Sequence, residues 1–170
     1  MKVAILQVTD FNNSHYKNSI ESVQSSLPFI SENHDCHHII LMNGSYRVDL
    51  SVDNSKTTLV DSENKYHGCS GSPNTLCRVA LDLGFEAVIL VDDDMIVPEN
   101  DWASDFITPY GIDEDVVMTG INALINRSDI MNQWYRDSSN ESFDYLDTPL
   151  SFLLSHWSDI GGWDENFILG

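Results

Sequence analysis

Short apolar runs alternate with polar stretches along this chain, and the periods differ from one run to the next. Val3–Val8 is apolar and rich in β-branched residues, which predicts a buried strand. Thr9–Ser14 (TDFNNS) is a polar loop that carries helix N-cap residues. Tyr16, Ile20, Val23 and Leu27 then fall at helical spacing, and Pro28 is predicted to end that helix. His38–Met42 reads as a second buried strand, closed by the turn Asn43-Gly44-Ser45, and Thr57–Val60 as a short third.

Ser72-Pro73 looks like an N-cap followed by proline at the first helical position. Leu76, Val79, Ala80 and Leu83 line one face of the helix it would open, and Gly84 stands where a left-handed C-terminal residue belongs. Ala87–Val91 (AVILV) is the most apolar strand and runs straight into Asp92-Asp93-Asp94. Val116–Thr119 predicts a further strand. Asn126–Asp147 is polar and irregular around Trp134 and Tyr135, Leu150–Leu154 is apolar, and the sequence finishes SDIGGWDENFILG. Strands separated by helices predict an α/β fold, a mostly parallel sheet flanked by helices. Such sheets bind ligands beyond the carboxyl ends of their strands. The loops Thr9–Asn13, Asn43–Ser45 and Asp92–Asp94 are therefore expected to converge on one site.

Composition narrows the reading. At 170 residues with 42% apolar content, the sequence suits one folded domain. No run of 18 apolar residues exists, so no transmembrane segment is expected. The opening MKVAILQV lacks a signal peptide's longer apolar run and cleavage site, so the expected location is cytoplasmic. Eight basic against 27 acidic residues give a net charge of −19, which repels phosphate backbones; with no basic patch, no nucleic-acid partner is expected. That acidity serves solubility, or some of the carboxylates hold a divalent cation. Cys36, Cys69 and Cys77 make an odd set, and structural disulfides are not expected. N-x-S matches such as those at Asn43, Asn126 and Asn140 carry no weight in a sequence read as lacking an export signal.

The aspartate triplet is the strongest chemical signal. Alternation at the end of a rigid strand would point Asp92 and Asp94 to the same side, offering hard oxygens to Mg²⁺ or Mn²⁺. A cation held there would neutralise a diphosphate and ease its departure. The plainer reading is a solvated acidic turn, although three acids closing a buried run repel one another strongly without a cation.

The stretch GFEAVILVDDDMIVPENDW resembles the segment around the D-x-D motif of GT-A-fold glycosyltransferases, especially family 2: an apolar strand, D-x-D, then a proline. GGWDENF resembles that family's GG-aromatic-DE-x-F segment on the acceptor side. More loosely, Thr9-Asp10-Phe11-Asn12 resembles the family's loop after the first strand. Met42-Asn43-Gly44-Ser45 resembles its D-D-G-S turn, and Gly71-Ser72-Pro73-Asn74 its G-x-x-x-A-R-N segment. The resemblance runs over nearly the whole chain in the expected order. It implies a single Rossmann-like GT-A domain over residues 1–170. Residues 1–98 would be the nucleotide-sugar-binding half, ending in D-x-D, and 99–170 the start of an acceptor-binding half. It implies sugar transfer from a nucleotide-diphosphate sugar, a UDP-sugar by family frequency, to a saccharide or other hydroxyl acceptor, with inversion at the anomeric carbon. Asp92 and Asp94 would be the metal ligands for Mn²⁺ or Mg²⁺. Thr9, Asp10, Asn12, Asn43, Asn74, Asp92 and Asp93 would contact the nucleotide sugar, and Gly162, Trp163, Asp164 and Glu165 would face the acceptor.

There are departures. Pro73 replaces the family's usual Arg, and Met42 replaces the first Asp of D-D-G-S. The E-D pair that supplies the family's general base is expected beyond Gly170. Asp164 or Glu165 could stand in as base, against the plainer role of fixing the turn around Gly161-Gly162. A domain that binds nucleotide sugar without turnover is the alternative. A haloacid-dehalogenase-like phosphatase is disfavoured, because its aspartates follow the first strand and Ile96 stands where Thr or Val is required. A response-regulator receiver is disfavoured because Asp10 is alone and no lysine follows Lys65. His34-x-Cys36-His37-His38 could be read as a zinc cluster, but without C-x-x-C it reads better as a partly exposed loop before the second strand. Among the aromatics, Trp163 is the best candidate to stack on a sugar and Trp157 reads as core. Trp134-Tyr135 is a weaker candidate, in a stretch that would form a lid.

Overall fold

The computed structural model describes residues 1–10, 16–43, 52–62, 68–112, 116, 118–121 and 147–165. The strands are β1 (Lys2–Asp10), β2 (Asp35–Asn43), β3 (Thr57–Asp61), β4 (Ala87–Val91), β5 (Met118–Ile121) and β6 (Asp147–Leu153). The helices are α1 (Tyr16–Ile30), α2 (Gly68–Asp82), α3 (Ala103–Ile112) and α4 (Leu154–Ile160). They build a six-stranded sheet in the order β3-β2-β1-β4-β6-β5. The first four positions are mutually parallel, and β6 runs antiparallel to both β4 and β5. This is the expected mostly parallel α/β architecture.

Alternation along β1 feeds both faces. Val3 and Ile5 pack with Val23, Leu27 and Ile30 of α1 and with Trp102, Ala103 and Phe106 at the start of α3. Ala4 and Leu6 point the other way, into Leu76, Cys77 and Ala80 of α2 and Leu154 and Trp157 of α4. The result is helix, sheet, helix. No described helix is long and apolar enough to cross a membrane.

Several boundaries move from their expected places. β1 runs on through Thr9 and Asp10, because both keep partners in β2, Thr9 opposite Met42 and Asp10 opposite Asn43. Pro28 does not stop α1. A proline removes its own N–H bond, and the next turn survives, with the Ser31 N–H donating to the Leu27 carbonyl at 2.9 Å. That turn carries Ile30, which is fully buried, a burial that contributes about 2 kcal/mol. Pro73 likewise lies inside α2, which begins earlier, at Gly68. The inner face of α2 is Leu76, Cys77 and Ala80, while Leu83 is exposed. Gly84 does adopt the left-handed conformation (φ 76°). β5 begins two residues later than Val116. Residues 35–37, expected as a loop before the second strand, belong to β2. Helix α3 was not anticipated, although Ala103, Phe106, Ile107 and Tyr110 carry the helical spacing of its buried face.

Candidate functional site

Strands β2, β1 and β4 lie side by side, and β1 pairs with a neighbour on each side. The chain order therefore reverses at β1, the place where open α/β sheets form a ligand crevice at their carboxyl edge. Asp10 sits opposite Asn43 in register, and Val91 opposite Gln7, so Asp92 leaves β4 at the same edge. The expected convergence of three loops holds for these described residues. Asn12 and the rest of 11–15, Gly44 and Ser45 lie outside the described residues, as do Trp134 and Tyr135.

Two of the nucleotide-side candidates are buried at that edge. Thr9 is fully buried and its hydroxyl donates to the Leu41 carbonyl at 3.1 Å, tying β1 to β2. Asn43 is buried as well.

The aspartates form a turn. The Met95 N–H reaches the Asp92 carbonyl at 3.3 Å, so the extended alternation expected to put Asp92 and Asp94 on one side ends at Val91. Asp92 and Asp94 are exposed and Asp93 is half-buried. Among the described residues, no group of three His, Cys, Asp or Glu side chains is arranged to hold an ion. The donor chemistry here, a few carboxylate oxygens open to solvent, fits a hard cation shared with a ligand's phosphates rather than enclosed by protein.

The turn is gripped from beneath by residues that the sequence reading did not assign. Gln7 Nε2 donates to the Asp92 carbonyl at 3.1 Å and to Ser19 Oγ at 2.7 Å, and Ser19 Oγ donates to the same carbonyl at 3.1 Å. Further along, Ser22 Oγ accepts the Val97 N–H at 3.1 Å, and Ser26 Oγ accepts Trp102 Nε1 at 3.0 Å. Ser19, Ser22 and Ser26 share one stripe of α1, at helical offsets of three and four. A glutamine inside an apolar strand and serines at that spacing were the available signals.

The GGWDE segment is held elsewhere, by α2. After β6 descends against β4, the seven residues of α4, about 10 Å at 1.5 Å per residue, lead the chain against α2. There Asn74, midway along α2, spends its whole amide on the segment. Nδ2 donates to the Trp163 carbonyl at 2.8 Å and to Glu165 Oε1 at 3.0 Å. Oδ1 accepts Trp157 Nε1 at 3.2 Å and the Trp163 N–H at 3.0 Å. Asn74 thus organises the GGWDE segment, and all four of these amide bonds are to protein groups, not to the nucleotide side where the sequence reading places it. Arg78 adds an exposed ion pair to Glu165 at 2.7 Å. Trp163 is half-buried, edge-on to Phe152 with ring centroids 5.2 Å apart. Asp164 is exposed beside it.

The histidines of 34–38 separate. His34 meets Ser104 Oγ, His37 meets Thr58 Oγ1, and His38 meets Gln24, each at 2.8–2.9 Å on a different element. Burial pushes the Cys36 thiol up to about 12 and raises Cys77 further, so neither is a ready thiolate.

No protein-family model matches the sequence, and no curated protein matches it. Solved structures do match its fold. The glycosyltransferase TarS of S. aureus (residues 1–349) in complex with UDP superposes with a TM-score of 0.63 at 13% identity, over 99% of this chain and 52% of that one. Its complex with UDP-GlcNAc gives 0.57 at 14% identity, over 94% and 47%. The 2-C-methyl-D-erythritol 4-phosphate cytidylyltransferase of Thermus thermophilus gives 0.56 at 9% identity, over 99% and 83%. The chain spans about half the length of the TarS structures that it matches. What is shared is the GT-A-like form of the Rossmann-type α/β sheet, found in both a glycosyltransferase and a nucleotidyltransferase.

Proposed function

We propose that this chain binds a nucleoside-diphosphate sugar at the carboxyl edge of β2-β1-β4 and serves metal-dependent transfer of the sugar to an acceptor hydroxyl. The observation that carries the reading is the position of the Asp92–Asp94 turn at the point where strand order reverses beside β1. Asp92 and Asp94 would hold Mn²⁺ or Mg²⁺, which when bound would supply charge neutralisation for the diphosphate. Basic side chains from the neighbouring sequence cannot take that part: no Lys or Arg occurs between Arg78 and Arg127.

The strand ends at Thr9-Asp10 and Asn43, with Asp93, form the nucleoside side of the crevice. A uridine donor is favoured by the UDP and UDP-GlcNAc complexes of TarS. Gly162–Glu165 forms the acceptor side, where Trp163 offers a ring face and Asp164 stands as the candidate base. The acceptor oxygen attacks the anomeric carbon opposite the departing diphosphate, giving inversion, and catalysis rests on orientation and charge neutralisation.

Nucleotidyl transfer is the second reading, favoured by the 83% coverage of the cytidylyltransferase. Against it, a triphosphate calls for a glycine-rich or basic cradle, and residues 9–16 (TDFNNSHY) contain no glycine, lysine or arginine. A third outcome, binding without turnover, is separated by assay. Titration calorimetry with UDP, UDP-GlcNAc, GDP-sugars and CTP, with and without Mn²⁺, tests all three. Cation-dependent binding of UDP or its sugar is expected. Preference for CTP would move the assignment to nucleotidyl transfer, and a folded chain that binds none of them would overturn both.

A further inference from the structure

Gln7 is a polar side chain at a place where the fold asks for an apolar one. It is fully buried in the central strand, its neighbours Leu6 and Val8 pack into the apolar core, and its Oε1 has no hydrogen-bond partner among the described residues. Leaving a buried amide oxygen unpaired is costly, so the residue needs a role that an aliphatic side chain could not fill. Its two donated bonds identify that role. One reaches the carbonyl of Asp92 and the other Ser19, which donates to the same carbonyl. Two elements that precede the aspartates by more than 70 residues thus fix the backbone on which the triplet turns.

We propose that Gln7 and Ser19 are positioning residues for cation binding at Asp92–Asp94. The inference rests on the donor-site reading above and extends it to residues that touch neither cation nor nucleotide. A turn closed by one 3.3 Å bond from Met95 is weakly held by its own backbone. The carboxylates of Asp92 and Asp94 are exposed, and the backbone of the turn sets where each side chain starts. Clamping the Asp92 carbonyl presets those starting points and lowers the ordering cost that a hard cation would otherwise meet on binding.

The three serines supply an internal control. Ser19, Ser22 and Ser26 each anchor one point of the 92–102 segment, at Asp92, Val97 and Trp102 in turn. A merely structural role makes the three alanine variants equivalent in what they do to the site. A positioning role makes the effect fall with distance from Asp92.

The test is a Mn²⁺ titration of the whole chain followed by paramagnetic broadening of backbone amide signals, first with the metal alone and then with UDP. In the wild-type chain, broadening is expected at residues 92–95. Gln7→Met and Ser19→Ala should each weaken Mn²⁺ binding about tenfold, the usual effect of removing a group that orients a ligand, while Ser26→Ala leaves it unchanged at a similar loss of thermal stability. Equal affinity in wild type, Gln7→Met and Ser19→Ala overturns the positioning role while leaving the donor site intact. A loss in Ser26→Ala as large as that in Ser19→Ala overturns it too, by reducing the effect to general loosening. Broadening that is absent from 92–95 in the wild-type chain, with or without UDP, overturns the donor-site reading itself and this inference with it.

Discussion

Asn74 Oδ1 lies 2.9 Å from the point that a β-carbon on Gly162 would occupy, and the Trp157 ring lies 3.0 Å from it. Gly162 also has a φ of +83°, so both its backbone and its surroundings call for glycine. Neighbouring Gly161 has nearly the same φ, +81°, but open space where its β-carbon would be. The pair separates conformational strain from close approach. Gly161→Ala should cost about 1 kcal/mol, the left-handed penalty alone. Gly162→Ala should cost about 3 kcal/mol, because Asn74 and Trp157 have to move as well. Urea denaturation of both variants checks this, and equal losses would remove Asn74 from the account.

Asn74 itself joins α2 to the GGWDE segment through four bonds, two given and two received. Asn74→Asp keeps the acceptor that serves Trp157 and the Trp163 N–H, but replaces the donor with an oxygen facing the Trp163 carbonyl and Glu165. The expected loss is about 3 kcal/mol, since a buried charge then meets two acceptors. Adding Glu165→Gln should return about 1 kcal/mol, because its amide can donate to the new carboxylate. It also removes the Arg78 ion pair, which is exposed and contributes little. A double-mutant cycle followed by urea unfolding measures that recovery, and simple additivity would show that Glu165 and residue 74 do not interact.

Much of this fold was legible because the strands announce themselves. Val3–Val8, His38–Met42 and Ala87–Val91 are apolar runs that become neighbours β1, β2 and β4, and the carboxyl-edge rule then places Asp10, Asn43 and Asp92 together. What the runs do not encode is direction: nothing in Leu150–Leu154 distinguishes an antiparallel β6, whose orientation is set by its pairing with β4. Proline misled the helix boundaries at Pro28 and Pro73, because local breaking signals are weak against buried residues such as Ile30 and Leu76 just beyond them. At the site, charge was visible and support was not. Asp92–Asp94 stands out in any reading, whereas Gln7, Ser19 and the true partners of Asn74 are ordinary residues until tertiary contacts give them meaning.

Removing one carboxylate tests the site directly. Asp94 is exposed, so Asp94→Asn should leave the fold and its thermal stability within about 0.5 kcal/mol of wild type. If that carboxylate ligates the cation, the change should abolish Mn²⁺-dependent UDP binding in calorimetry. Undiminished cation-dependent binding in the variant would sink the assignment of the turn.

The last prediction concerns acid. His38 is fully buried, and its Nδ1 lies 2.8 Å from Gln24 Nε2 while its own Nε2 has no hydrogen-bond partner among the described residues. Burial, with a smaller contribution from neighbouring His37, lowers it from 6.5 to about 3. Its folded value therefore lies below its unfolded one. Between the two, the unfolded chain takes up a proton that the native chain refuses. Stability at this residue is full above about pH 6.5 and is lost as pH falls, with a slope approaching about 1.4 kcal/mol per pH unit. His34 and His37 are lowered by burial as well and add in the same direction. An opposite trend runs alongside. A chain at −19 repels itself, and protonating its exposed carboxylates relieves that repulsion. The net pH profile of the wild-type chain thus mixes two slopes of opposite sign. His38→Gln separates them, because it removes one histidine and leaves every carboxylate in place. Urea midpoints from pH 7 to pH 5 should show the variant losing less stability than wild type on acidification, by close to one proton's slope below pH 6. Parallel profiles would mean that His38 takes up its proton in the native state without penalty. The buried network of Gln24, His38 and Thr57 would then be more open to water than its geometry implies.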